Sequence, residues 1–549
     1  MISDALIIDG YVDEPACLGV PPYISPYIRT VAGVLYEAGY RVQYRTIDEI
    51  RSAPEDVQSL RNIPLVIVIA GQTVPGKYLA GTPATANELR QIGSLFEGSS
   101  ALLGGPVVHG ISPGGGTRAV KELMPGYRAL LTGDPATALQ RFLEGSDPAG
   151  DELYDESRIW SILGAEIIRD HPFYPNIIIE LETAKGCSRS TTGGCSFCTE
   201  PFYGPPRYRP ISMVEEEVSA LYAAGARHFR LGRQPDLLAY GTGGGEFPVP
   251  DPEKIRSLFT AIRRAAPDLR TLHIDNVNPG TIAHHEEASR EALAAIVDGH
   301  TPGDIAAFGM ETADPAVISA NNLKASPDEV MAAIRIVNEI GDRRDADGIP
   351  HLLPGLNFVC GLAGETEETY QRNRAFLEEL LSSGLLVRRV NIRQLMPFEG
   401  TRAYEENTLD QHHLLFRSFK EWTRKNFDPV MLERVFPIGT IFRRVTIEVP
   451  GPLSFGRQPG TYPILVGLPL AFEKGDLLDA AVVGYGSRSL TALPVPIMIN
   501  QLPASALKAL PGIGKKTVAT IMVRRPFPDI NAWKKVTGGT LVDDLITFV

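Results

Sequence analysis

Short apolar runs alternate with amphipathic stretches along residues 1–425, and this rhythm restricts the fold more than any other feature of the 549-residue chain. Strands that are apolar throughout need helices over both faces, so a βαβα pattern implies a parallel sheet between helical layers. In residues 1–150 the expected strands are 5–9, 41–45, 65–70, 101–104 and 129–132, and the expected helices are 25–38, 87–96 and 135–143. They predict a doubly wound sheet that binds ligands at the carboxyl ends of its strands. The charged stretch GSDPAGDELYDESR reads as a linker. A second set begins near residue 175, with strands at 177–182, 228–231, 272–275, 306–311, 356–361 and 390–394. Six β/α units predict a partial or full barrel with its chemistry on the loops after the strands. Ser326, Pro327 and Glu329 mark the start of one intervening helix as a capping box.

After an expected helix at 416–425 the composition changes. Residues 434–495 are rich in β-branched residues and Gly/Pro turns, which predicts a small all-β unit, and 503–549 read as helical again. The expected division is therefore 1–150, 175–425, 434–495 and 503–549. The net charge of −12 argues against nucleic-acid binding over the whole surface. It is unevenly spread, however: residues 434–549 carry 13 Lys or Arg against 7 Asp or Glu, a net of +6, leaving −18 on residues 1–433. That asymmetry points to an anionic partner for the C-terminal part. No apolar run reaches the roughly 18 residues of a membrane helix, and MISDALIIDGYVDEP reads as a first strand rather than a leader. A cytoplasmic protein without membrane contact is expected.

Three of the five cysteines, Cys187, Cys195 and Cys198, fall within twelve positions in ETAKGCSRSTTGGCSFCTEP. Such clustering favours a metal site over disulfides. Three thiolates on a four-iron cube leave one iron open to a cofactor or substrate, whereas structural zinc ordinarily takes four ligands. A fourth zinc ligand would have to come from Cys360 or a distant His. Cys17 and Cys360 otherwise read as small buried side chains.

These cysteines after the first barrel strand resemble the radical S-adenosylmethionine (SAM) superfamily, although its usual CxxxCxxC spacing is here lengthened to seven residues between Cys187 and Cys195. The resemblance continues in GMETADPAVISANNLKASPDEVMAAIRIVNEIG, GLAGETEETYQRNRAFLEELL and RQLMPFEGTRAYEE, and covers about 175–425. It implies a [4Fe–4S] cluster on the three cysteines, SAM on the open iron, an electron donor and an enzyme that makes a 5′-deoxyadenosyl radical. It also implies SAM contacts from Phe197, from Gly232, Arg233 and Gln234 of LGRQPD, and from Glu311 and Arg393, each of which reads equally as a barrel-lining residue. His273, Asp275 and Asn278 in LHIDNVNP read either as substrate-facing or as turn-forming.

The N-terminal segment LGVPPYISPYIRTVAGVLYEAGYRVQYRTID resembles the start of cobalamin-binding-type domains, which allows cobalamin as a further cofactor without the ligating DxHxxG histidine. Methylthiotransferases carry three cysteines in that region; this chain has only Cys17. The block VTIEVPGPLSFGRQPGTYPILVGLPLAFEKGDLLDAAVVGYGSRSLTALP resembles a TRAM domain and offers Arg457, Tyr462, Lys474 and Arg488 to an RNA; a barrel that simply packs on the core is the other reading. LKALPGIGKKTVATIMVRRPFPDINAWKKV resembles a helix-hairpin-helix motif. Its Gly512 and Gly514 open a helix N-terminus to phosphate, with Lys515 and Lys516 adding charge, while protein contact is the other use of such a hairpin. Together these imply an enzyme that modifies, and is expected to methylate, a tRNA or rRNA. A protein, peptide or small-molecule substrate is the alternative, and a non-catalytic nucleic-acid-binding protein with a structural metal the third.

Overall fold

The computed structural model describes residues 3–12, 23–53, 60–72, 81–121, 125–151, 154–406 and 408–548. The N-terminal sheet contains β1 (Asp4–Asp9), β3 (Arg41–Thr46), β4 (Leu65–Ile69), β5 (Ser100–Gly104), β6 (Ala129–Gly133) and β7 (Ala149–Gly150), all parallel, in the order β3-β1-β4-β5-β6-β7. β4 is buried at every position because helices cover both faces. The strand order reverses beside β1, the topological switch point of a doubly wound fold. The helix Ala86–Leu95 starts on a Thr85–Glu88 capping box, and Asp134 caps Pro135–Leu143 through the Thr137 N–H (2.9 Å). Sequence reading missed the short helix Ile47–Ser52, whose Thr46–Glu49 capping box is present but whose pattern is brief.

Between β1 and β3, the two-residue strand β2 (Tyr23–Ile24) leaves this sheet and pairs with β8 (Ile178–Glu182) of the second set. A small hairpin, β9 (Ala184–Lys185) with β10 (Arg207–Tyr208), follows. The second set continues with β11 (His228–Gly232), β12 (Thr271–Ile274), β13 (Asp304–Glu311), β14 (Leu352–Cys360) and β15 (Arg389–Gln394). Two parallel sheets, β12-β11-β8-β2 and β13-β14-β15, meet through the parallel bridge Asn276–Ala307. The result is an open six-stranded α/β barrel whose β8 edge is covered by β2. The Ser326–Glu329 capping box forms as expected on the helix Pro327–Gly341.

The expected linker is a correction. Its end joins the helix Tyr154–Leu163, which lies against Pro26–Glu37 so closely that a Cβ at Gly33 would overlap the Trp160 backbone. Buried ion pairs hold the same seam: Arg29 Nη2 meets Glu217 Oε1 at 2.7 Å and donates to the Glu180 carbonyl at 2.7 Å. One apolar cluster runs from Ile7 and Val31 into Ile179, Phe229 and Leu356, so the two α/β sets share a core.

The expected helix at 416–425 appears as His413–Trp422, followed by the π turn Thr423–Phe427 and the helix Asp428–Val435. Strands β16 (Ile441–Val449), β17 (Ser454–Arg457), β18 (Leu465–Leu468), β19 (Leu477–Tyr485) and β20 (Ser489–Pro494) close a small barrel. The helices Ala504–Leu507, Lys515–Arg524 and Ile530–Thr537 follow, packed through Leu507, Ile521 and Trp533 onto Val483 and Leu493 of the barrel. The short strands β21 (Ile497–Met498) and β22 (Ile546–Thr547) pair at their base. Among the described residues no helix is long and apolar enough to cross a membrane.

Candidate active site

The three clustered cysteines lie on the loops after β8, at the mouth of the open barrel. The Cys187 N–H donates to the Gly204 carbonyl (3.0 Å), and the Cys198 N–H donates to the Cys195 carbonyl (3.2 Å). Ser196 fixes the loop across the mouth: its N–H and Oγ donate to the Asn321 carbonyl (3.0 Å) and Oδ1 (2.7 Å), and its carbonyl accepts from the Ala403 N–H (2.9 Å). Burial pushes all three thiols up, Cys187 to about 11. A bare thiol in that setting stays protonated, whereas a metal deprotonates it on binding. Among the described residues no three His, Cys, Asp or Glu side chains gather as a single metal ion requires.

Beside Cys195 and Cys198 opens a cavity walled by Phe197, Met396 and Phe398 and by Glu311, Lys324 and Arg393. Glu311 ends β13 with φ +63°, and burial pushes its carboxyl up to about 7 against the pull of Lys324 and Arg393. The room for this charged pair comes from Gly309: a Cβ there would strike Glu311 Oε1 and lie 2.8 Å from Lys324 Nζ. Arg393 donates to Asn391, with Nη2 at 3.0 Å, once the Asn391 amide is turned to present its oxygen. Phe197, Glu311, Arg393 and two of the three cysteines thus converge on one space.

The LGRQPD segment is arranged differently. Gly232 ends β11 where any Cβ would overlap Glu180 Oε1, so its glycine serves packing. Arg233, at φ +53°, pairs with Glu182 at 3.3 Å. Gln234 is buried and donates to the Leu231 carbonyl (3.2 Å), and its Oε1 accepts no hydrogen bond among the described residues. That acceptor is free for an ammonium, although Pro235, and not Gln234, lines the cavity.

His273, Asp275 and Asn278 do not line the cavity. Asn278 caps the helix Pro279–His284. His273 Nδ1 accepts from the Thr461 N–H (2.9 Å), and Asp275 Oδ1 from the Tyr462 hydroxyl (2.9 Å). Their partners belong to the 458–464 loop of the small barrel, which enters the α/β barrel and carries Tyr462 under the Arg389 guanidinium, 4.0 Å from the ring centre. Tyr462 is therefore not available to stack on a base. Arg457 is likewise occupied, held by both oxygens of Glu448 on the neighbouring strand of the small barrel. Lys474 lies over the Phe173 ring (5.8 Å), and Arg488 is half exposed, 3.3 Å from Asp428. Gly512 has φ +77°, Gly514 caps Lys515–Arg524, and Gly512, Gly514, Lys515 and Lys516 are all exposed.

The N-terminal sheet supplies another wall. The chain after β5 donates from Gly116 to the Leu395 carbonyl and from Ala119 to the Pro397 carbonyl, both at 2.9 Å, backing the Leu395–Phe398 side of the cavity. Cys360 is buried, as expected, and Cys17 lies outside the described residues. Lys324, Asn276 and Glu200 were missed by sequence reading. Lys324 sits in a quoted motif but had no signal of its own, because only the fold brings it across from Glu311.

An open six-stranded α/β barrel with three cysteines after its first strand defines a class. Residues 181–377 match the family model of the radical SAM superfamily, so the chain contains a radical SAM domain, and that family works with a [4Fe–4S] cluster and SAM. Over 95% of its length it is 42% identical to an uncharacterized protein of Archaeoglobus fulgidus, of which it covers 95%. It is 26% identical to a ribosomal protein uS12 methylthiotransferase RimO of Syntrophotalea carbinolica, over 39% of this chain and 41% of that one. It is 25% identical to a tRNA-2-methylthio-N(6)-dimethylallyladenosine synthase of Sorangium cellulosum, over 37% and 38%.

Proposed function

We propose that this chain is a radical SAM enzyme that modifies an RNA, a tRNA or rRNA, with methylation the expected change. The observation that supports it most directly is the convergence of Cys195, Cys198, Phe197, Glu311 and Arg393 on one cavity at the barrel mouth. In this reading Cys187, Cys195 and Cys198 hold the cluster, and Glu311 and Arg393, which line the cavity, take the polar groups of SAM. Bound there, the pair supplies a 5′-deoxyadenosyl radical. The chain's own part is to position and exclude. Phe197, Met396 and Phe398 form an apolar wall that keeps water from the reacting centre. Lys324 and Arg393 offset the charge of Glu311 and leave a site able to take a zwitterion. Cobalamin fits the proposal as a methyl carrier at the carboxyl ends of the N-terminal sheet; the segments after β1 and β4 fall outside the described residues, so no residue is assigned to it.

The RNA part rests on the C-terminal region. Gly514 opens a ten-residue helix beside exposed Lys515 and Lys516, an arrangement that binds phosphate without reading sequence. One of the two named relatives is a tRNA-modifying synthase, which agrees with this reading. The other modifies a ribosomal protein, and two of the small barrel's sequence-predicted RNA contacts, Arg457 and Tyr462, are engaged internally; both facts favour a protein substrate as the second reading. Nucleoside mass spectrometry of RNA from a strain lacking the gene separates them: a missing modification supports RNA, and an unchanged profile the protein. Deleting 434–549 is an unsuitable test, since it also strips Thr461 and Tyr462 from the core.

A further inference from the structure

The seven residues between Cys187 and Cys195 are four more than the resembling pattern carries, and they bring a guanidinium to a cysteine sulfur. Ser188–Thr192 form one tight turn, and Gly193 (φ +86°) and Gly194 (φ +63°) send the chain back to Cys195. The Arg189 side chain is only 4% exposed. Its Nε donates to Glu246 Oε1 at 2.7 Å, its Nη1 to Cys195 Sγ at 3.3 Å and its Nη2 to Asn322 Oδ1 at 3.2 Å. Both partners are tied to the same insertion. Asn322 donates to the Thr192 and Gly194 carbonyls (3.1 and 2.8 Å), and Ser188 Oγ donates to the Glu246 carbonyl (2.9 Å).

We propose that Arg189 is a positioning residue that raises the reduction potential of an iron–sulfur cluster on these cysteines, acting through its N–H···S bond to Cys195. The proposal rests on the cysteine assignment above. Reduction adds one electron, taken from an external donor, to a cluster whose ligand sulfurs already carry negative charge. A cationic N–H donor at one sulfur therefore stabilises the reduced form more than the oxidised form. Partners of metal ligands tune the metal in this way, and the buried setting strengthens the interaction. Glu246 binds the opposite edge of the guanidinium and fixes its plane, so the charge reaches one sulfur in one geometry.

The test uses the full chain and its Arg189→Gln and Arg189→Lys variants, each reconstituted anaerobically with iron and sulfide. Iron is counted first; a dithionite titration followed by electron paramagnetic resonance then gives the midpoint. The expected result is equal iron in all three. At fixed potential, the reduced-to-oxidised ratio of Arg189→Gln falls about tenfold, about 59 mV for one electron, and Arg189→Lys lies between. Equal midpoints at full iron overturn the proposal. Loss of iron from both variants overturns it as well, leaving Arg189 only a loop-folding role. An unmodified chain that takes up no cluster refutes the cysteine assignment itself, and the proposal with it; the iron count shows this before any titration.

Discussion

Tyr462 and Asp275 tie the small barrel to the α/β barrel, and Tyr462→Phe removes only the tie. The phenol donates to Asp275 Oδ1 at 2.9 Å, both side chains are buried, and Oδ2 has no partner among the described residues. Burial pushes the Asp275 carboxyl up to about 6, while Arg230 and the Tyr462 hydrogen bond pull it back. Because this value lies above the ordinary 3.8, the folded state holds the proton more tightly. The resulting stability is full below about pH 4 and is lost as pH rises through about 6. Above that pH the substitution takes the one donor from a buried carboxylate, a hydrogen bond to charge worth about 1.5–3 kcal/mol. Near pH 4.5 a neutral acid loses a neutral bond, about 1 kcal/mol. Urea unfolding of the full chain, followed by the summed fluorescence of Trp160, Trp422 and Trp533, should therefore show a larger cost at pH 8 than at pH 4.5. In the Asp275→Asn background the pH difference should vanish. A cost below about 0.5 kcal/mol at pH 8, or equal costs at both pH values, would refute the docking argument.

Replacing Cys187, Cys195 or Cys198 by Ala should each abolish iron uptake on anaerobic reconstitution, while Cys360→Ala should keep it; full iron in any of the first three contradicts the assignment. Gly309→Ala forces Glu311 and Lys324 aside at a cost of about 1–3 kcal/mol, so SAM affinity by equilibrium dialysis should drop at least about fivefold; unchanged affinity removes this pair from the SAM site. The Lys515→Glu, Lys516→Glu double variant should weaken RNA binding and flatten the salt dependence by roughly 0.7–0.9 in slope per lysine; an unaltered slope places RNA elsewhere. Burial pushes the Asp9 carboxyl up to about 6, so its stabilising contribution fades as pH rises from about 4 to 6. Asp9→Asn should remove that dependence, at most about 3 kcal/mol, as read from melting across that pH range.

Local pattern carried much of this fold. Strands such as β4 and β11, and the helix begun by the Ser326–Glu329 capping box, follow from apolar period and end signals that lie within a few residues of one another. The cysteine clustering likewise raised the expectation of a metal site from twelve consecutive positions. Sequence could not decide which polar residues face the cavity, because that depends on strand register and on loops hundreds of residues apart. Thus Lys324 joined Glu311 across Gly309, while His273 and Asp275 turned to the small barrel. Tyr462 and Arg457 looked like surface residues for an RNA until Asp275 and Glu448 claimed them. The linker reading failed for the same reason: charged residues can end a loop and begin a helix whose other face is buried, and only the packed partner reveals that face. By itself the sequence determined the elements, their order and the presence of three thiols, since these are local or compositional properties. The tertiary structure alone decided the company each side chain keeps, including Arg189 on Cys195, because hydrogen bonds between distant segments exist only once the chain has closed around them.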